Sequence, residues 1–560
     1  MQPRHRAVPF AALLLSLFVA LGAVTSTRPT TAAAPPVQPP GNAWTVEADP
    51  LATFHLNLRD ADEHARLSTL LLASDLSPAR DPEQATITVS DHELRNAQTI
   101  ATHYWAVVAH QRSDVHNLSA KAVRAAASGW ATDWKQLGGQ ARALTLYVPR
   151  EYEHEIGNAL RTSLTPTAVV LPLTEIIEAV AVDAGGIALI PATLLAPGVL
   201  GLVVDDYDPY RDPASASPLQ TRRWIQRAPY APLGFPDLAA AWQAPAQFDP
   251  VGLLATGDVV PTRCTGERLE ALGDYNLMFD GTRHLIAAAD IAIMPLEISL
   301  TSVGGPTPCT RTFMLQGSPL AAATFASAGF DVVTTAGNHA GDCWLNCPRH
   351  RAFRDTAANL DAAGLPHTGT GENRAEATTP VVLERQGLRF AFLAYDDIAH
   401  YFAATETEIG SATYDPDTLA DDVQQAAALV DHVVISFSWG TEYTANPTRR
   451  QREAARIAAD AGASLVVGNH PHWVQAVEQI GETVVFYALG NFVFDQSWSI
   501  PTTQGFIAEV GFDVDRVLGF RLRPVVIQDV HRPDLVDPAR EGAAILQRAW
   551  AASDRLQPRS

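Results

Sequence analysis

Six times between positions 251 and 491, a short apolar run ends directly in a turn that carries a side chain able to hold a cation. Residues 252–256 lead into Gly257-Asp258, and residues 291–294 into Pro295-Leu296-Glu297. Residues 331–335 lead into Ala336-Gly337-Asn338-His339-Ala340-Gly341-Asp342, and residues 432–437 into Ser438-Trp439-Gly440-Thr441-Glu442-Tyr443. Residues 465–467 lead into Gly468-Asn469-His470-Pro471-His472, and residues 484–487 into Ala488-Leu489-Gly490-Asn491. Short apolar runs bounded by glycine read as buried strands, and the stretches between them are long enough for helices, so the chain is an α/β protein. Parallel strands bring their ends to one edge of a sheet, where open α/β folds bind ligands. Asp258, Glu297, Asn338, His470 and His472 are therefore expected to converge. Oxygen donors with two imidazoles suit Mn, Fe or Zn, as one ion or a hydrolytic pair. Pro471 fixes the backbone between the two histidines.

Composition narrows the partners. The 560 residues carry a net charge of -21, which disfavours nucleic acid and anionic membrane surfaces. Arg4 and Arg6 precede an apolar run over 8–24, so residues 1–27 read as an export signal or an anchor. Residues 28–43, rich in Thr, Ala and Pro, read as a tether. An exported chain permits disulfides among its four cysteines. Cys343 and Cys347 are close enough for a local loop, which leaves Cys264 with Cys309.

Residues 44–227 form a first block of alternating strands and helices. Strands are expected at 103–109, 144–148, 168–171 and 187–191, and helices at 119–128 (with Ser119 as N-cap), 151–163 and 174–182. Residues 228–249 are a linker with a helical piece at 235–243. It lies within a Pro-rich stretch, about 212–248, that few contacts should cross. The second block runs over 250–532, and 533–560 reads as a C-terminal helix and tail.

Two resemblances add to this. In the first block, Leu118-Ser119-Ala120-Lys121 through Gly138-Gly139 and Gly185-Gly186-Ile187-Ala188-Leu189-Ile190-Pro191 resemble the phosphate-type periplasmic substrate-binding proteins. Those proteins follow their Tyr-Val-Pro-Arg strand with a Ser-Gly-Thr anion cradle. Here Arg150 precedes Glu151-Tyr152-Glu153-His154-Glu155, whose carboxylates repel phosphate, so a structural or docking module is expected over a solute site.

In the second block, the turns named above are joined by Asp361-Ala362-Ala363-Gly364, Gly369-Thr370-Gly371 and Tyr487 through Asp495. In this order they resemble the capsule-synthesis CapA family, linked to poly-gamma-glutamate and similar to calcineurin-like metallophosphatases. The resemblance implies a four-layer α/β/β/α sandwich. It departs at Pro295 (usually Asn), at Ser438 (usually His) and at Val260, where the phosphatases place a His. Losing the nitrogen donor at 438 should leave the Asp258/His472 side the tighter metal position, with Ser438, Glu442 and Asn491 as supporting groups. His339, oriented by Asp342, is the expected proton donor. The expected function is metal-dependent hydrolysis or transfer on an envelope polymer or its phosphorylated precursor, outside the cytoplasm, beside capsule-synthesis membrane proteins. The alternatives are a non-catalytic assembly partner and a solute-binding protein.

Overall fold

A computed structural model describes residues 53–58, 61–73, 76–80, 85–91, 94–227, 249–310, 312–345 and 347–556. The expected signal, the tether and the helix at 235–243 lie outside these residues. Among the described residues no helix is long and apolar enough to cross a membrane.

The second block is built on two facing sheets. One has seven strands, in the order His367–Thr368, Val332–Thr334, Ile291–Pro295, Val251–Thr256, Gln504–Phe512, Val517–Gln528 and Arg532–Leu535. The other has six, in the order Val381–Arg385, Leu388–Asp396, His432–Ser438, Leu465–Asn469, Thr483–Phe486 and Val477–Ile480. Alternation along each strand assigns the layers. Val251, Leu253 and Ala255 join Phe390, Phe392, Val434, Leu465 and Val467 in the core between the sheets. Leu254, Ala292 and Met294 face outward onto Leu269, Phe325 and Leu360 of the helices Arg263–Leu272, Leu320–Ala328 and Arg349–Ala362. On the other side Ala391, Leu393, Val433 and Ile435 meet Leu419, Val423, Ala454 and Ala458 of the helices Pro416–Ala427 and Arg449–Asp460. The result is the α/β/β/α sandwich. Each fully buried Leu, Val or Phe contributes about 1.5–3 kcal/mol. Helix starts are set locally: Thr448 and Gln451 form a reciprocal capping box, and Asp415 caps a helix whose first residue is Pro416.

The first block is a nine-stranded mixed sheet with helices Ala120–Ala127, Glu153–Leu160 and Leu173–Val182. Ser119 caps as expected, its hydroxyl accepting from the Ala122 N–H. The second expected helix is shorter than 151–163. Arg150–Tyr152 is a 3-10 turn, and Arg161 closes the helix in a left-handed conformation. Glu155 does not face an anion. It is buried against Arg223 at 2.5 Å and His103 at 2.8 Å; burial raises its carboxyl, but the hydrogen bond to His103 and the Arg223 charge together outweigh that and hold it below the ordinary range.

One expectation needs correction. The stretch 212–248 is not bare of crossing contacts: Gln220–Arg227 is a strand in the first sheet, and the segment just before 212 is the seam between the blocks. Arg521 is fully buried and binds Asp208 and Glu509 at 2.8 Å and the Gly201 carbonyl at 2.8 Å. Arg516 donates to the Leu195 and Thr193 carbonyls, and Gln111 to that of Phe520. Tyr210 lies where a Cβ on Gly511 would meet its Cα and Cβ at 2.9 Å and a Cβ on Gly519 would meet its hydroxyl at 2.6 Å, so only glycine admits it. The expected C-terminal helix after 538 is present and packs. Arg532–Leu535 is a sheet strand, and the Ala543–Ser553 helix seats Ile545 and Ala549 in the inter-sheet core.

Candidate metal centre

The central strands of both sheets end on one side of the sandwich, so the following turns face each other. Asp258, Glu297 and Asn338 come from the seven-stranded sheet; Ser438, His470 and His472 come from the six-stranded one. His472 Nδ1 lies 2.8 Å from Asp258 Oδ2 and 3.0 Å from Asn491 Oδ1. His470 Nδ1 lies 3.1 Å from Asn338 Oδ1, and the His470 N–H donates to Asp258 Oδ1 at 3.2 Å. Asn491 is oriented by its own amide, which donates to the Thr502 carbonyl and to Gln496 Oε1. Donors at right angles on a cation with bonds of about 2.1 Å stand ~3 Å apart, so these spacings suit a shared ion as well as a proton.

The backbone is strained here. His470 and His472 have φ of 85° and 58°, and Tyr443, whose N–H is tied to the Pro471 carbonyl at 2.9 Å, has φ of 60°. Such residues cost about 1–3 kcal/mol each and cluster where geometry serves function. The Tyr443 ring covers His472 at 5.9 Å and meets the exposed Trp498 at 6.1 Å.

Glu297 carries the strongest electrostatic signal. It is 1% exposed, and neither carboxyl oxygen has a hydrogen-bond partner. Burial first, then the carboxylates of Asp258, Asp396 and Glu442, holds its carboxyl well above the ordinary range. An orphaned buried carboxylate among like charges is costly, and a cation relieves it. Burial, with His472 and His339 nearby, holds His470 well below its ordinary value, so its imidazole is neutral and keeps a lone pair. Among the described residues no three His, Cys, Asp or Glu side chains form a ready cage. The donor set depends on Asn and Ser as well, and as such it fits a divalent ion.

His339 Nδ1 is 2.6 Å from Asp342 Oδ2, which also accepts the Leu315 N–H at 2.8 Å. Asp342 thus fixes the ring and leaves Nε2 free. Ser438 is buried with an unpartnered hydroxyl, and Glu442 is exposed on the turn beside the site. Both disulfides form as expected, Cys264–Cys309 and Cys343–Cys347. Next to the first, Arg263 pairs with Asp495 and lies over Phe494, whose ring packs on His472.

Sequence reasoning missed two residues. Asp396 and Asn469 end the strands on either side of Ser438, paired with it in register. Asp396 is fully buried and accepts the Ile398 and Ala399 N–H groups, and burial pushes its carboxyl up to about 6. The signal was present: residues 388–395 are another apolar run ending in a carboxylate.

Residues 252–496 match the family described as bacterial capsule synthesis protein PGA_cap. The chain is 29% identical over 245 residues to a PGA biosynthesis protein CapA of Bacillus subtilis (strain 168), covering 43% of this chain and 63% of that one. It is 36% identical over 177 residues to a capsule biosynthesis protein CapA of Bacillus anthracis, covering 31% and 42%. Neither match spans two thirds of the relative. An ABC-type phosphate transport receptor from Vibrio cholerae is similar in structure at 14% identity and a TM-score of 0.27, over 32% of this chain and 88% of that one, a score too low to bear on fold or function.

Proposed function

We propose that this protein, whose residues 252–496 match the bacterial capsule synthesis PGA_cap family, serves the synthesis or export of a capsule polymer of the poly-gamma-glutamate kind, as an exported metal-dependent hydrolase or transferase. The observation that carries the enzymatic part is Glu297, buried without a partner amid Asp258, Asn338, His470 and His472. A divalent ion bound there would supply Lewis-acid stabilisation to a phosphoryl or carbonyl oxygen and lower the pKa of an attacking water. Asp258 and His472 would form the tighter position and Asn338 and His470 a weaker one, with Glu297 between them. Asn491 keeps His472 turned toward Asp258. His339, steadied by Asp342, would hand a proton from Nε2 to the leaving group. The oxidised cysteines support a place outside the cytoplasm.

One observation favours a second reading, a non-catalytic assembly partner: Ser438 gives the site no nitrogen where the family has one. The test is metal analysis of the purified protein together with hydrolysis of phosphomono- and phosphodiesters and of poly-gamma-glutamate. Bound metal with turnover lost in His339→Ala supports the enzyme. Bound metal with no turnover of any of these supports the assembly partner.

A further inference from the structure

A cleft of about 410 Å3 runs against the charge of the whole chain. The protein carries a net charge of -21, yet this cleft is walled by Arg449, Arg452, Arg456 and Arg555, with Glu453 as the one acid among its described lining residues. Three of the arginines come from the helix Arg449–Asp460. Their spacing of three and then four positions puts them on one face, over roughly 10 Å of helix. Arg555 follows the Ala543–Ser553 helix and donates to Asn446 Oδ1 at 2.8 Å, which ties the two walls together.

Helix stability does not account for these arginines. The first turn of the helix holds Arg449, Arg450 and Arg452 and no acid. A helix N-terminus is its positive end, so cations there are unfavourable and an anion is stabilised. Nor do ion pairs consume them. Arg450 turns away to Asp397 at 2.8 Å. The Arg449 side chain is 91% exposed and stands 3.3 Å from Glu453. Arg452 stands 3.6 Å from Glu478, whose other oxygen takes the Tyr487 hydroxyl. Arg456 is exposed and holds no ion pair among the described residues. The Arg452 Nε is buried with no hydrogen-bond partner. A buried guanidinium N–H calls for an acceptor, and a charged oxygen is the strongest one.

We propose that this cleft is an anion-binding site that takes a run of carboxylates on an acidic polymer and holds that chain beside the metal centre rather than at it. The choice of a polycarboxylate rests on the proposed function; the site itself needs no metal. Guanidinium forks match carboxylates in two-point contacts, and four of them in one cleft fit a ligand whose charge repeats along a chain. Asn446 of the cleft comes three residues after Tyr443, whose ring covers His472, so the two sites lie within roughly 11 Å of chain of each other. They share no residue.

The experiment measures binding of a short fluorescent poly-gamma-glutamate to the full chain by anisotropy, with a chelator present so that neither hydrolysis nor a metal bridge contributes. Binding that weakens as salt rises is expected. Arg449→Gln/Arg456→Gln should weaken it about tenfold or more, the loss of two charge-assisted contacts. Both side chains are exposed and stand against the helix dipole, so the melting temperature should hold or rise, where a structural role would lower it. Arg555→Gln, from the other wall, should weaken binding as well. No binding by the natural protein, binding unmoved by both variants, or displacement by polyphosphate at a lower concentration than by the unlabelled polymer would each overturn the inference. Turnover by the metal-loaded protein is read separately. Turnover of the polymer with binding indifferent to the variants would sink the cleft and leave the proposed enzyme standing; binding lost in the variants with no turnover would sustain the cleft and sink the hydrolase.

Discussion

Arg521 reaches across the seam between the two blocks and holds Asp208 at 2.8 Å, its own side chain wholly buried. The pair ties the Val517–Gln528 strand of one block to a turn of the other. Removing one member of a buried pair costs about 3–5 kcal/mol. Glu509 still accepts from Arg521, so Asp208→Ala should lie near the lower end, about 3 kcal/mol. A shift in urea midpoint measures it; a loss under about 1 kcal/mol would assign the seam to Tyr210 instead.

A chain beginning at residue 249 would expose Arg521 and the slot that Tyr210 fills. It should be poorly soluble and rapidly degraded by protease, whereas the two halves co-expressed should associate. An isolated second half that melts within a few degrees of the full chain would contradict this.

Acid should loosen the seam. Although burial opposes ionisation, Arg521 and the hydrogen bonds to it hold the Asp208 carboxyl below its ordinary 3.8. A depressed folded value stabilises the protein above the unfolded one, and that contribution disappears as pH falls below it. The difference in melting temperature between the natural protein and Asp208→Ala should therefore be constant from pH 7 to about 5 and shrink below about pH 4. A difference that grows on acidification would reverse the sign.

His472→Ala should remove the tightly held metal, and His470→Ala should remove less in the natural protein. His472 has two oxygen neighbours within 3.0 Å, Asp258 and Asn491, where His470 has Asn338 on its ring. Plasma emission analysis of the purified variants reads this directly; equal loss from both would mean a single ion shared by the two rings.

The disulfides should differ in worth. Cys264–Cys309 closes a separation of 45 residues and Cys343–Cys347 one of 4. Chain entropy gives about 4 and about 2 kcal/mol respectively. Cys264→Ser/Cys309→Ser should lower the melting temperature more than the Cys343/Cys347 counterpart, and it should also disturb metal binding, because the Cys264 N–H holds Asp495 beside the site.

The turns that supply ligands were legible because each is local: an apolar run, a glycine and a polar residue are contiguous. Asn469 and Asp396 also end apolar runs, but their place on either side of Ser438 comes from strand register, which pairs residues over long sequence separations. Tyr210 was hidden for the same reason. Nothing near it in sequence announces Gly511 and Gly519, about three hundred positions later. Glu155 misled in a different way: its position after a strand suggested an exposed repulsive charge, and only its distant partner Arg223 shows it to be structural.

The slot for Tyr210 also bears on how such a protein can be inherited. One phenol ring from the first half fits against glycines of the second, and its hydroxyl takes the Gly201 N–H at 2.7 Å. Neither half can be exchanged for a homologous one by recombination unless the newcomer brings the matching ring or the matching glycines. The two halves are thus constrained to diverge as a single heritable unit, and relatives that lack the first half should be free to carry bulkier residues at positions 511 and 519.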